Sequence, residues 1–201
     1  MRFPIRTVCV LGLGYIGLPT AAAVASRGVW VIGVDVKDDV VARINRGEIH
    51  IVEPDLEGVC ALAVSRGLLR ATTSPQPADV FVIAVPTPFE NQKADLSFVK
   101  SAALSLAGQL RPGNLVVLES TSPPGTTEML TELLRAERPY LKFPADAADT
   151  TADVNVAYCP ERVLPGRVLT ELAENDRVIG GMSAACSERA IDFYRIFCRG
   201  K

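Results

Sequence analysis

The stretch Val8-Cys9-Val10-Leu11-Gly12-Leu13-Gly14-Tyr15-Ile16-Gly17 joins an apolar, strand-like run to a G-x-G-x-x-G turn, and a helical pattern over 15–27 follows it. In that strand–turn–helix setting each glycine has its own task. Gly12 permits the tight turn, Gly14 lets the backbone approach a pyrophosphate, and Gly17 lets the helix pack closely on the strand. The free N–H groups of the helix start, aided by the helix dipole, suit phosphate oxygens. A second apolar run, Val29 to Val34, ends in Asp35, 23 positions after Gly12. An acid at about that separation accepts hydrogen bonds from the ribose of an adenine dinucleotide. Together these features predict a dinucleotide site; a glycine-rich turn without a ligand is the alternative.

Outward from this unit, strands and helices alternate. Helices are expected over 38–46, 56–66, 96–110, 126–135 and 187–197, the second capped by Asp55. Strands are expected over 68–72, 80–85, 115–118, 154–158 and 178–179. Segment 144–153, rich in alanine and aspartate, reads as a mobile loop. The strand runs are apolar throughout rather than alternating, as in parallel strands covered on both faces. The fold class is therefore α/β, a doubly wound parallel sheet of the Rossmann type.

The bulk composition narrows the function. The 201 residues carry 21 basic and 23 acidic side chains, with no clustered positive charge for nucleic acid. Five scattered cysteines and one histidine form no metal-ligand spacing, so no metal is expected and a reducing cytoplasm fits. Met1-Arg2-Phe3-Pro4 leads directly into the first strand, and no run reaches membrane-spanning length. The hydrophobic share of 48% fits a sheet buried on both faces, or a surface that a partner covers.

In open α/β sheets ligands sit beyond the carboxyl ends of the strands. Three loops there carry polar groups: Pro86-Thr87-Pro88, Glu119-Ser120-Thr121-Ser122, and Cys159-Pro160-Glu161-Arg162. For Thr87 a plain rigid turn is an equal reading. Glu161 and Arg162 read as poised over the crevice, with a solvated loop salt bridge as the alternative. Cys159, at a strand end before proline, reads as a buried apolar residue rather than a nucleophile. His50, without a visible partner, reads as a surface histidine.

The segments GLGYIGLPTA, VIGVD, NRGEIHIVEPDL, AVPTPF, ESTSPPGTTE, NVAYCPERVLPG and NDRVIGG resemble, in order, those of the UDP-sugar 6-dehydrogenase family. The resemblance implies NAD as cofactor, a UDP-sugar as partner, and two oxidations that take a C6 alcohol to a carboxylate through a cysteine adduct. It places Gly12, Gly14, Tyr15, Ile16, Gly17, Asp35 and Thr87 at the NAD site. It implies that Thr121 positions water or the nicotinamide region, that Glu161 transfers protons or activates water, and that Arg162 and Val163 touch the substrate. Arg162 stands where UDP-glucose enzymes typically have an aromatic residue, which favours N-acetylmannosamine over glucose. A basic residue five positions after the acid is replaced by Val40, leaving Lys37 as a substitute. The family's catalytic lysine, asparagine and cysteine motifs do not occur in these 201 residues. The chain is thus expected to be the N-terminal NAD-binding domain, 1–201, lacking the central helix and C-terminal domain. It is expected to bind NAD without turnover alone, with a homodimer only in the full-length enzyme. A non-catalytic NAD-binding module, a UDP-glucose enzyme and a β-hydroxyacid dehydrogenase stand as alternatives, the last disfavoured by PTPF and CPERVLPG. A methyltransferase using S-adenosylmethionine fits less well, because the third glycine suits a pyrophosphate.

Overall fold

The computed structural model describes residues 4–90 and 93–200, so Met1, Arg2 and Phe3 of the N-terminal lead lie outside the described residues. Along the chain run β1 (Thr7–Leu11), α1 (Gly17–Ala25), β2 (Trp30–Val34), α2 (Asp38–Asn45), α3 (Leu56–Ser65), β3 (Leu69–Thr72), β4 (Val80–Ile83), β5 (Phe89–Glu90) and β6 (Lys93–Ala94). There follow α4 (Ser97–Ala107), β7 (Leu115–Leu118), α5 (Thr126–Glu137), β8 (Asn155–Tyr158), α6 (Val168–Glu174), β9 (Gly180–Gly181) and α7 (Ala184–Tyr194).

The main sheet has the order β3-β2-β1-β4-β7-β8-β9, and its first six strands are parallel. Side chains alternate between its two covered faces, which is why the strands read as solid apolar runs. Val8 and Val10 pack with Leu18, Ala21, Val24 and Leu56 on one face. Cys9 and Leu11 pack with Val99, Ala103, Leu106 and Leu134 on the other. The strand order reverses direction between β1 and β4, which opens the crevice where such sheets bind ligands.

Several expectations are corrected. The helix after the glycine turn begins at Gly17, because Tyr15 and Ile16 are used in the turn itself. Asp55 does not cap α3 with its side chain; its backbone takes the left-handed conformation (φ 62°) and makes the turn into the helix. The last strand is not Val178–Ile179 but Gly180–Gly181, and it runs antiparallel to β8. Val178 is left largely exposed, so the apolar pair is not the strand core it resembles. The β5–β6 ribbon and α6 lack a long enough periodic pattern to be read from sequence. Segment 144–153 is a loop, as expected, and its aspartates make turn hydrogen bonds: Asp149 accepts from the Ala145 and Thr151 amides at 3.0 and 2.7 Å, and Asp153 from the Lys142 amide at 2.9 Å.

Candidate functional site

The chain leaves β1 at Gly12, whose amide donates to the Val34 carbonyl of β2 at 2.8 Å. Gly12 has φ 91°, and a Cβ there would lie 2.6 Å from the Ala84 carbonyl oxygen beyond β4. The turn then folds back so tightly that a Cβ on Gly17 would sit 1.8 Å from the Gly12 carbonyl oxygen. Gly14 differs: no atom stands within 4 Å of an added Cβ, so the turn presents an open cradle there. Ile16 packs against the core, whereas Tyr15 is exposed. The Asp35 carboxylate faces this turn. Its Oδ2 accepts from the Leu13 amide and its Oδ1 from the Lys37 amide, each at 3.1 Å. Val40, at the position of the missing basic residue, is buried in the core and cannot contact a ligand.

The loops beyond β4, β7 and β8 are stitched together on the same edge. Thr87 Oγ1 donates to the Thr121 carbonyl at 2.7 Å. Ser120 Oγ donates to the Val85 carbonyl at 2.7 Å, and the Ser122 amide donates to the Tyr158 hydroxyl at 3.2 Å. Thr121 itself is exposed at this edge. The structure therefore unites the glycine turn, Asp35, Thr87 and Thr121 at one sheet edge.

Glu161 departs from the expectation of a carboxylate poised over the crevice. Its side chain is 4% exposed and pairs with the guanidinium of Arg177, itself 6% exposed. Both partners are almost closed to water, so the pair is not a solvated loop bridge either. Its other oxygen accepts from the Arg162 amide at 2.7 Å. The Arg162 side chain is exposed and donates to the Asp176 carbonyl at 3.1 Å. Val163 is half-buried and packs against the core, so only part of it is open to a substrate. Cys159 is fully buried, and burial pushes its thiol up to about 11 although Tyr194 hydrogen-bonds it. His50 is half-buried rather than a surface side chain; burial lowers its proton affinity despite the nearby Asp35. All five cysteines are free and buried. A thiol reagent is expected to label native chain slowly and all five on unfolding; rapid labelling of one native thiol would contradict this packing. Among the described residues, no group of three or more His, Cys, Asp or Glu side chains could hold a metal ion.

Four further residues were given no individual role by the sequence. Glu119, 1% exposed at the end of β7, accepts from Thr20 Oγ1 at 3.1 Å and from the Tyr194 hydroxyl at 3.0 Å. Burial, reinforced by the Glu161 charge, pushes its carboxyl up to about 7 against the opposing pull of Arg177. The Arg177 guanidinium lies 5.2 Å from the Tyr194 ring centroid. Burial opposes its charge, but Glu161 more than compensates and raises its proton affinity. Glu53, 5% exposed, accepts from the Gly166 and Val168 amides at 2.8 and 2.7 Å, capping α6 and tying loop 161–167 to the body. A charge closing an apolar run was the available signal for Glu119; nothing local marked Arg177 or Tyr194.

The sequence model of the UDP-glucose/GDP-mannose dehydrogenase family, NAD binding domain, matches residues 6–198. The chain belongs to this family. It is 58% identical over 196 residues to UDP-N-acetyl-D-mannosamine dehydrogenase of Escherichia coli K12, covering 97% of the chain and 46% of that protein. It is equally identical over 197 residues to NDP-N-acetyl-D-galactosaminuronic acid dehydrogenase of Ralstonia nicotianae, covering 98% and 46%. The solved UDP-D-ManNAc dehydrogenase of Pyrococcus horikoshii superposes with a TM-score of 0.89 at 39% identity, over 97% of this chain and 46% of that one. The chain thus spans about half the length of the curated relatives it matches. As a family member it carries a nicotinamide dinucleotide domain on a Rossmann-like sheet. Among the described residues no helix is long and apolar enough to cross a membrane.

Proposed function

We propose that this chain holds NAD at the Gly12–Gly17 turn and serves a complete enzyme that oxidises UDP-N-acetyl-D-mannosamine at C6. The observation that carries this reading is the open cradle at Gly14 beside the Asp35 carboxylate. The helix start offers amides to the pyrophosphate, and Asp35 offers oxygen to the adenosine ribose. That carboxylate also repels the 2′-phosphate of NADP, which sets NAD as the preferred cofactor. NAD held there would supply the hydride acceptor for each of the two oxidations. Thr87 and Thr121 line the nicotinamide end, and Thr121 positions water there. Glu161 moves the proton, and Arg162 with the exposed part of Val163 reads the sugar.

Turnover belongs to the longer polypeptide that the relatives have, with a homodimer as its expected assembly; these residues, 1–201, form its NAD-binding domain. The free cysteines and the nucleotide-sugar chemistry support a cytoplasmic setting. The equal identity to the Ralstonia relative supports a second reading, an N-acetylgalactosamine nucleotide as substrate. Calorimetry tests the cofactor: NAD binds more tightly than NADP, and Asp35→Asn weakens NAD about tenfold or more, the value of a hydrogen bond to a charged group. Tighter NADP binding by the unaltered chain would sink the assignment. The substrate is read from this chain joined to the second half of the Escherichia coli relative. NADH formation with UDP-N-acetylmannosamine should exceed that with UDP-N-acetylgalactosamine or UDP-glucose, and the reverse order would pass the assignment to the preferred sugar.

A further inference from the structure

We propose that Arg177 is the positioning residue for Glu161, and that Glu119 and Tyr194 brace it from behind. The proposal rests on the reading of Glu161 given above. Glu161 lies in the loop that follows β8, where a carboxylate would ordinarily sample many rotamers. Here both its oxygens are engaged, one by Arg177 and one by the Arg162 amide. Arg177 is fixed in turn: its second terminal nitrogen donates to the Leu172 carbonyl at 3.1 Å, and its guanidinium lies against the Tyr194 ring. The Tyr194 hydroxyl donates to Glu119, whose other oxygen accepts from Thr20 of α1. A chain of contacts therefore links the helix of the glycine turn to the carboxylate, through α7 and the loop before β9.

A buried ion pair is a poor way to gain stability, since two charges must be stripped of water and apolar side chains of the same volume would serve as well. Two carboxyls and one guanidinium packed together beyond the ends of β7 and β8 are better explained by the need to aim a charged group. The fork of an arginine suits this task, because it can hold Glu161 and the Leu172 carbonyl at once. A lysine ammonium keeps the charge but not the planar fork.

The test uses the chimera described above and a double-mutant cycle. Arg177→Lys is expected to lower kcat by roughly 10- to 100-fold, the cost of about an ångström of misplacement, with KM for the sugar and NAD affinity within about twofold of the parent. In a Glu161→Gln background, itself slow, Arg177→Lys is expected to add nothing further, because the group being aimed is gone. Equal losses in both backgrounds would show a merely structural arginine and overturn the proposal, as would an unchanged kcat in Arg177→Lys. Unchanged turnover in Glu161→Gln alone would instead remove the role of Glu161 itself. A second measurement needs only this chain: in spectra of 15N-arginine-labelled protein, the Arg177 terminal N–H groups should be separate and slow to rotate. Glu161→Gln should merge them, and averaging already present in the unaltered chain would refute the anchored geometry.

Discussion

Gly17→Ala is expected to lower the thermal unfolding midpoint of the chain by roughly 6–12 °C, whereas Gly14→Ala leaves it unchanged and removes most cofactor affinity. The two glycines lie three positions apart in one turn, yet the structure assigns them different burdens. A Cβ on Gly17 would stand 1.8 Å from the Gly12 carbonyl oxygen and 3.2 Å from the Ala84 Cβ. The closest obstacle is backbone, so no rotamer change can relieve it and the turn must open. Such overpacking costs about 3 kcal/mol at the upper end of the usual range, and each kcal/mol moves the midpoint of a domain this size by about 2–4 °C. Around Gly14 there is no atom within 4 Å of an added Cβ, so alanine is tolerated by the free protein. Its methyl group would occupy the cradle assigned to the pyrophosphate. Differential scanning calorimetry and NAD titration on both variants separate the two effects. Gly17→Ala melting with the parent, or Gly14→Ala binding NAD as the parent does, would contradict the assignment of that glycine.

Glu119 is expected to make the chain less stable as pH rises from about 5 to about 8, and Glu119→Gln is expected to remove that slope. The sign follows from linkage. Burial raises the folded carboxyl from 4.5 to about 7, so the folded state holds its proton more tightly than the unfolded chain. The resulting stabilisation is fully present below the unfolded value and is lost as pH climbs through the folded one. A shift from 4.5 to about 7 corresponds to about 3 kcal/mol, with no discount for solvent because Glu119 is 1% exposed. The charged and titratable groups that face it are Glu161 and Arg177 from the loops, Tyr194 from α7 and Cys159 from the end of β8. Glutamine copies the neutral acid in shape and keeps a donor and an acceptor for Thr20 and Tyr194. Urea unfolding at several pH values measures the difference between the two proteins, in which other titrations cancel. Parallel stability curves would mean that Glu119 carries no proton linkage.

The order of the elements was legible because each signal is local. The glycine turn, the acid ending β2 and the solid apolar runs of β1, β4 and β7 each depend on a few neighbouring residues and one period. The same locality made Gly12, Gly14, Gly17 and Asp35 readable as one site, since the strand–turn–helix unit holds them together whatever the rest of the chain does. Short elements failed this test: α6 and the β5–β6 ribbon span too few residues for a period to show, and β9 takes its direction from its neighbour β8.

The sequence by itself thus determined the doubly wound sheet, the carboxyl ends of its strands as the ligand side and the acid that closes β2. The strand order and the reversal between β1 and β4 came from the tertiary structure. Tertiary structure alone decided the state of the charges. Glu161 is separated from Arg177 by 16 positions, and Glu119 from Tyr194 by 75 and from Thr20 by 99. A residue type says that a carboxylate is present; only packing decides whether water or a guanidinium surrounds it. In a low-dielectric interior that choice sets both the direction in which Glu161 points and the proton that Glu119 keeps.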